Sequence, residues 1–182
     1  PFLINHNRIL IQVLQITFLP VKGVCMGSSG NVEEENGIPE EIKGDRLLRE
    51  SSYEKAAEFF RQAAENHPAQ RCRLHHRAAV ALWKAGVFDK AAQEFKVAIK
   101  SCHQEENRDG EAKNTLGLGA SYHGLNRMSE AYRIMHDALK IAEENGNLKT
   151  VAEAMNWLGI ICKDQGDFSL AVDHHKKALD LI

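Results

Sequence analysis

The chain has 182 residues, and 23 Lys and Arg against 25 Asp and Glu give it a formal net charge of -2 at pH 7. This balance excludes an overall electrostatic attraction to nucleic acid or to an anionic membrane, and leaves only a local patch open. Aromatic residues are 7% of the chain and proline occurs four times, which favours helices over an all-β fold. The length suits one ordinary domain or a short array of repeats.

The four cysteines, Cys25, Cys72, Cys102 and Cys162, lie far apart and form no CxxC pair. This spacing argues against a zinc site and against the dense disulfide framework of small secreted domains. We therefore expect reduced, mostly packed cysteines and a cytoplasmic protein.

Residues 1–37 differ from the rest and are predicted to be a leader outside the repeats. The apolar run Phe2 to Leu19 is interrupted by polar residues and stops at Pro20, which is too polar for a membrane span. A signal peptide requires a positively charged start, but no Lys or Arg precedes Arg8. The first Met is Met26, so we interpret residues 1–25 as not belonging to the working protein. The acidic stretch that follows is typical of a flexible leader.

From Ile38 onward, helical patterns of 11 to 17 residues alternate with short breaks. We predict a turn at Asn107 to Gly110, a left-handed helix end around Gly146, and capping of the second helix by Ser51 and Ser52. The predicted helices span about 39–49, 53–66, 69–85, 88–102, 111–125, 128–144, 150–165 and 168–181.

One small–large–small pattern recurs four times, with steps of four and three residues that keep its members on one helical face. The copies are Ala56-Phe60-Ala63, Ala91-Phe95-Ala98, Ala131-Met135-Ala138 and Ala171-His175-Ala178. Twelve residues before the first Ala stands another small residue, namely Gly44, Ala79, Gly119 and Gly159. A mid-helix glycine costs about 1 kcal/mol relative to Ala, so this register indicates a close crossing of two helices. A generic amphipathic bundle is the alternative, and four agreeing copies make it weaker.

These residues resemble the tetratricopeptide repeat, which runs Trp-x2-Leu-Gly-x2-Tyr, then Ala-x3-Phe, then Pro. Leu118-Gly119 with Tyr122 and Leu158-Gly159 match its first helix, and Pro68 matches its terminal proline. The pattern lacks the early Trp and has His175 as its last large residue. The 40-residue spacing is similar to that of kinesin light chain and spindle-orientation adaptors.

The resemblance implies an all-α solenoid of antiparallel helix hairpins that winds as a right-handed superhelix. It predicts a repeat array at 38–182, with repeats at about 38–70, 71–106, 110–147 and 150–182. Such arrays bind a peptide or helix in the concave groove that their first helices line. The implied function is an adaptor or scaffold.

Periodicity predicts which side chains line that groove. The candidates are Arg73, His76, Arg77, Trp83, Lys113, His123, Asn156 and Lys163. Arg73, His76, Arg77 and Lys113 would form a basic cluster beside Trp83, suited to an acidic or phosphorylated segment. A solvated charged face is the alternative.

Chaperone-binding relatives clamp a peptide's terminal carboxylate with Lys and Asn at places where this chain has Glu41 and Asp45. A carboxylate ligand would be repelled there, so we exclude that subclass. The same two residues argue against an RNA-binding array, which needs a basic groove in every repeat.

Neither a metal, nor a cofactor, nor an enzyme activity is predicted. The pairs His75-His76 and His174-His175 lack the i, i+4 spacing of helical metal ligands. Cys102-His103 with Glu105 and Glu106 is at most a weak ligand set, and catalytic signatures such as GxSxG or HExxH are missing.

A second hypothesis is a structural or self-associating segment of a larger protein. The chain finishes on Leu179, Leu181 and Ile182, whereas a repeat array needs a polar outer face on its last helix. We therefore expect further repeats after residue 182, or a partner that covers this end.

Overall fold

The computed structural model describes residues 37–181, which form α-helices, one short 3-10 helix and no strand. The predictions for residues 1–36 and for Ile182 lie outside this range. The α-helices are α1 (Pro39–Arg49), α2 (Tyr53–Asn66), α3 (Arg71–Lys84), α4 (Phe88–Gln104), α5 (Arg108–Gly124), α6 (Met128–Glu144), α7 (Leu148–Asp164) and α8 (Phe168–Leu179). The all-α prediction is confirmed. None of these helices is long and apolar enough to cross a bilayer.

Each helix packs against the next, so the chain folds as successive hairpins. Beyond these neighbours, α3 packs on α5 and α5 packs on α7. The first helices of the hairpins therefore form one layer and the second helices form another. Such stacking is the architecture of an α-solenoid, as the sequence predicts.

The turns that follow α3 to α7 share one backbone conformation. A left-handed residue occurs at Gly86 (φ 76°), Glu106 (φ 51°), Asn126 (φ 58°), Gly146 (φ 67°) and Gly166 (φ 87°). Their constant spacing makes each of the helices α4 to α7 with its turn a 20-residue unit. Glycine adopts this conformation without steric cost, and Gly146 lies where the left-handed helix end was predicted.

Two local predictions were wrong. Asn107 to Gly110 is not a free turn, because α5 begins at Arg108 and the Asn107 side chain accepts a hydrogen bond from the Gly110 N–H at 2.8 Å. Asn147 caps α7 in the same way, through the Thr150 N–H at 3.1 Å. Ser52 precedes α2, but its side chain makes no capping hydrogen bond. Asn is a strong N-cap residue because its oxygen satisfies an otherwise unpaired helical N–H.

The repeated small and large residues form the core of each hairpin. Phe60, Phe95 and Met135 are fully buried. A Cβ on Gly44 would lie 2.5 Å from the Phe60 ring, and one on Gly119 would lie 2.9 Å from Met135. The other small residues of the pattern are also buried: Ala56, Ala63, Ala79, Ala91, Ala98, Ala131, Ala138, Ala171 and Ala178.

The last hairpin uses His175 where the others use a large apolar residue. A Cβ on Gly159 would lie 2.8 Å from the imidazole, so the ring occupies the same crossing. Burial lowers the pKa of His175, and the charge of Lys163 lowers it further. Both effects favour the neutral imidazole of His175 at this crossing of α7 and α8.

The prediction of reduced cysteines was wrong for one pair. Cys72 and Cys102 form a disulfide with a Cα–Cα distance of 4.7 Å. Cys72 lies at the start of α3 and Cys102 near the end of α4, and an antiparallel hairpin brings these two ends together. Cys162 is free and buried, and Cys25 lies outside the described residues.

Candidate functional site

The candidate site is the face that α1, α3, α5 and α7 present on the first-helix layer. We call this face the groove face. All eight candidates from the sequence lie on α3, α5 or α7. Their surroundings divide the face into an ion-paired end, a lysine pair and an aromatic cluster.

The ion-paired end joins α1 to α3. Arg73 donates hydrogen bonds to Glu41 and Gln70, and Arg77 donates to Glu41 and Asp45. Burial tends to raise the pKa of Glu41, but the hydrogen bonds and charges of the two arginines outweigh it and hold that pKa below its ordinary value. The two acidic residues therefore neutralise both arginines instead of facing a ligand alone.

His76 is half-buried between the groove face and the core. Its Nδ1 lies 2.9 Å from Oδ1 of Asn114, and its ring meets Phe95 edge-on with centroids 6.1 Å apart. Burial lowers the pKa of His76, the hydrogen bond with Asn114 opposes the shift, and Lys113 adds to it. His76 therefore contributes hydrogen bonding, not positive charge, to this face at neutral pH.

Two exposed lysines, Lys113 on α5 and Lys149 on α7, form what we call the lysine pair. Neither makes an ion pair within 4 Å to any residue in the described range. The half-buried carboxyl group of Glu153 interacts electrostatically with both lysines. Burial raises the pKa of Glu153, and the positive charges of Lys149 and Lys113 oppose that increase. The pair is thus the part of the groove face whose positive charge is least neutralised.

An aromatic cluster crosses three first helices. Trp83 on α3 meets Trp157 on α7 edge-on at 6.4 Å between ring centroids, and His123 on α5 meets Trp157 at 5.6 Å. Phe88 extends the cluster from α4, at 6.2 Å from Trp83. Trp157 is buried, whereas Trp83 and His123 keep a solvent-facing part. An aromatic surface of this kind can hold an apolar anchor.

Polar side chains border the aromatic cluster on the α7 side. His123 Nε2 lies 2.8 Å from Oδ2 of Asp164, and Lys163 Nζ lies 3.4 Å from the other oxygen of that carboxylate. Asn156 is half-buried on α7. Two of the predicted groove residues, His123 and Lys163, therefore share one carboxylate.

Trp83 lies on the same helix as both arginines. Six residues separate it from Arg77 and ten from Arg73, which at 1.5 Å per residue is about 9 Å and about 15 Å, and the cluster beside Trp83 stays a prediction. The sequence interpretation missed Trp157, Asn114 and Asp164. The positions equivalent to Trp157 in the two preceding repeats are Gly117 and Arg77. No residue type is therefore shared between the repeats at this position, and the repeat pattern does not mark it.

The groove face has the chemistry of recognition. Its polar groups are cations, two imidazoles, amides and carboxylates, several of them already paired with one another, and they share the face with an aromatic surface. In the described range, no three His, Cys, Asp or Glu side chains are grouped to hold a metal ion.

The comparisons with known proteins agree with this fold. Residues 110–182 match the family model of the tetratricopeptide repeat. A search of curated proteins gives no match. The tetratricopeptide repeat domain of Arabidopsis FLU superposes with a TM-score of 0.58 at 20% identity, covering 62% of this chain and 95% of that domain.

Two longer structures are also similar. The Rap conjugation gene regulator of plasmid pLS20, solved with the Phr* peptide, has a TM-score of 0.68 at 17% identity and is matched over 98% of this chain and 52% of its own. Aspartyl phosphate phosphatase F of Bacillus subtilis has a TM-score of 0.69 at 15% identity, over 78% of this chain and 39% of its own. This chain thus spans about half or less of either protein, and at these identities the likeness is one of fold.

Proposed function

We propose that this chain, a tetratricopeptide repeat protein by the match of its residues 110–182 and by its fold, binds a protein segment along the groove face as an adaptor. The observation that carries the proposal is the partly exposed aromatic cluster, which lies on the same helices as two lysines without ion-pair partners in the described range. Lys149 and Trp157 are eight residues apart on α7, about 12 Å, a distance that one extended segment of a partner can span, and Trp anchors are enriched in binding hot spots. The Rap regulator, whose structure holds a peptide, is consistent with this use of the fold.

We further propose that the segment is acidic or phosphorylated, and that the lysine pair selects it. The arginines at the α1 end are already held by Glu41 and Asp45, so their charge is less available. Lys113 and Lys149 are exposed and can form charge-assisted hydrogen bonds with carboxylate or phosphate oxygens. Trp83 would receive an apolar side chain of the same segment.

The test is affinity capture from cell extract with the full chain, quantified by mass spectrometry, for the native sequence and two charge-reversed variants. Lys113→Glu with Lys149→Glu changes the lysine pair. Lys100→Glu with Lys140→Glu is the matched control, because these exposed lysines lie on the second helices α4 and α6. We expect the lysine-pair variant to capture about tenfold less of each specific partner than the native chain does. The control variant should capture as much as the native chain.

Equal losses in both variants would show that overall charge, not the groove face, governs capture. Unchanged capture by the lysine-pair variant would refute the acidic-segment proposal. Adding Trp83→Ala then separates the two parts of the idea, because the groove proposal predicts a loss for this variant whatever the charge of the partner.

Self-association is a second candidate, favoured by the apolar surface of α8. Phe168 is 66% exposed, Val172 49% and Leu179 73%. Exposed apolar side chains in one helix mark an interaction surface more often than scattered single residues do. We expect a mass that increases with concentration in sedimentation experiments, and a monomer for Val172→Glu with Leu179→Glu. A native chain that stays monomeric at high concentration would exclude this candidate.

The cytoplasmic location remains a prediction. Its basis was a full set of reduced cysteines, and the Cys72–Cys102 disulfide changes that basis. Disulfides of cytosolic proteins are typically transient and redox-sensing, and the surroundings of this bond are therefore of interest.

A further inference from the structure

The Cys72–Cys102 disulfide closes the open end of the α3–α4 hairpin. It joins residues 30 positions apart, so the covalent ring contains four groove candidates, Arg73, His76, Arg77 and Trp83. Both cysteines are buried, with exposures of 2% and 0%. A bond at this place restrains how far the start of α3 can move from the end of α4.

The next hairpin closes without such a bond. Ala112 and Ala142 occupy the same register one repeat later, at a spacing of 40 residues, and both are fully buried. The α5–α6 hairpin thus closes by packing alone. Reduced cysteines, which behave as small apolar residues, can pack at the α3–α4 end in the same way.

The space around the two sulfurs depends on Gly110. A Cβ at this position would lie 2.6 Å from Sγ of Cys72 and 2.9 Å from Sγ of Cys102. In α7 the equivalent residue is Thr150, which is fully buried, and the hairpin before it carries Ala112 and Ala142 in place of the two cysteines. Gly110 therefore leaves free the space that the two sulfurs occupy.

Each sulfur also has an amide donor. Nδ2 of Asn107 lies 3.6 Å from Sγ of Cys72, and Nδ2 of Asn114 lies 3.3 Å from Sγ of Cys102. A sulfur in a disulfide is a weak acceptor, whereas a thiolate is a charged and much stronger one. These donors stabilise the thiolate that leaves when the bond opens.

Asn114 connects the bond to the groove face. Its side chain is 1% exposed and spans from Cys102 Sγ to Nδ1 of His76, with the amide oxygen at 2.9 Å from the ring nitrogen. The amide also donates to the Gly110 carbonyl at 2.8 Å. Because the amide nitrogen is used twice as a donor, the network assigns the His76 proton to Nδ1.

We propose that Cys72 and Cys102 are a reversible thiol–disulfide couple that controls the mobility of the start of α3 and signals its state to His76 through Asn114. The reducing partner is a dithiol. One of its thiolates attacks a sulfur of the pair, the S–S bond breaks, and a mixed disulfide forms. The second thiolate of the dithiol then attacks the mixed disulfide, which closes the dithiol into its own disulfide and releases the second cysteine. Both cysteines leave as thiolates and take up the two protons of the dithiol to become thiols.

The test uses the full chain, oxidised in air or reduced with dithiothreitol, and no groove ligand. Native alkylation followed by peptide mass spectrometry should find Cys72 and Cys102 blocked before reduction and both labelled after it. Hydrogen exchange should accelerate about tenfold at residues 72–76 and 99–104 on reduction. The equivalent residues 112–116 and 139–144 of the next hairpin should change less than twofold.

His76 and His123 give a pair of reporters by nitrogen NMR of the imidazoles. The His76 signals should shift on reduction, whereas those of His123, which lies on α5 and pairs with Asp164 at 2.8 Å, should not. Cys72→Ala with Cys102→Ala reproduces the alanine pair, so it should keep its helicity, exchange like the reduced protein, and ignore the reductant.

Three results would overturn the proposal: cysteines that alkylate freely in the oxidised protein, exchange that is equal in both states, or loss of helicity on reduction. The last would make the bond a structural requirement. Because no ligand is involved, each result is independent of whether the groove proposal holds.

Discussion

Helices α5 and α7 are the first helices of consecutive repeats, have 17 residues each, and pack in equivalent places. Three positions along them nevertheless differ in kind. α5 carries Gly110, Gly117 and Gly124 at a spacing of seven residues, whereas α7 carries Thr150, Trp157 and Asp164. The same helical backbone thus carries glycines at these positions in α5 and larger side chains in α7.

In α5 the neighbours fill the space that glycine leaves. A Cβ on Gly117 would overlap the ring of Phe95, and one on Gly124 would lie 2.7 Å from the ring of Phe88. Residues of α4 therefore press directly on the α5 backbone. In α7 the side chain itself fills the space, because Trp157 is buried against Trp83 and His123.

The difference shows how a repeat protein acquires a site. Positions that every repeat shares, such as the alanines of the small–large–small pattern, maintain the stack. Positions that differ between repeats give the groove face its chemistry. The aromatic cluster arises because one repeat has Trp where its predecessor has Gly.

Replacing Trp157 with Ala should have the largest effect. It removes a buried ring that contacts two other helices, and such truncations cost about 3 to 5 kcal/mol. For a chain of this length we expect the melting temperature to fall by about 10 °C, measured by circular dichroism at 222 nm.

Trp83→Ala is the control for that change, because its ring belongs to the same cluster but is partly exposed. It should cost clearly less, about 1 to 2 kcal/mol. If the two variants lose the same stability, Trp157 is not the residue on which α7 depends, and the contrast with α5 fails.

Most of the fold was predictable because it rests on features that the repeats share. The Gly–Phe and Gly–Met crossings at Gly44 and Gly119 recur at one register, and Gly146 ends a helix as expected. The start of α5 was misplaced because Asn107, Asp109 and Gly110 are turn formers as well as helix-start residues. Only the side-chain cap to the Gly110 N–H decides between the two.

The site was less predictable for a physical reason. Periodicity places side chains on a face, but it does not say which of them neutralise one another. The pairing of Arg73 and Arg77 with Glu41 and Asp45 depends on the approach of α1 to α3. The disulfide could have been suspected, because Cys72 and Cys102 stand near the two open ends of one predicted hairpin.

Gly117→Ala sharpens the comparison from the α5 side with a smaller effect. Alanine raises helix propensity by about 1 kcal/mol, so an exposed site would gain stability. Here the added methyl group overlaps the Phe95 ring, which is fully buried. Overpacking in a dense core costs about 1 to 3 kcal/mol, and a Cβ in direct overlap with the Phe95 ring belongs at the upper end of that range. After the gain in helix propensity, we expect a net loss of about 2 kcal/mol in urea unfolding.

Gly119→Ala is the matched control two residues along the same helix, because its methyl group would meet the flexible end of Met135 at 2.9 Å. Methionine can change rotamer to make room, so this variant should stay within about 1 kcal/mol of the native chain. A Gly117→Ala variant that is as stable as Gly119→Ala would mean that α5 does not depend on the close approach of Phe95. In that case the glycine at this register in α5 and the tryptophan in α7 would not be two solutions to one packing problem.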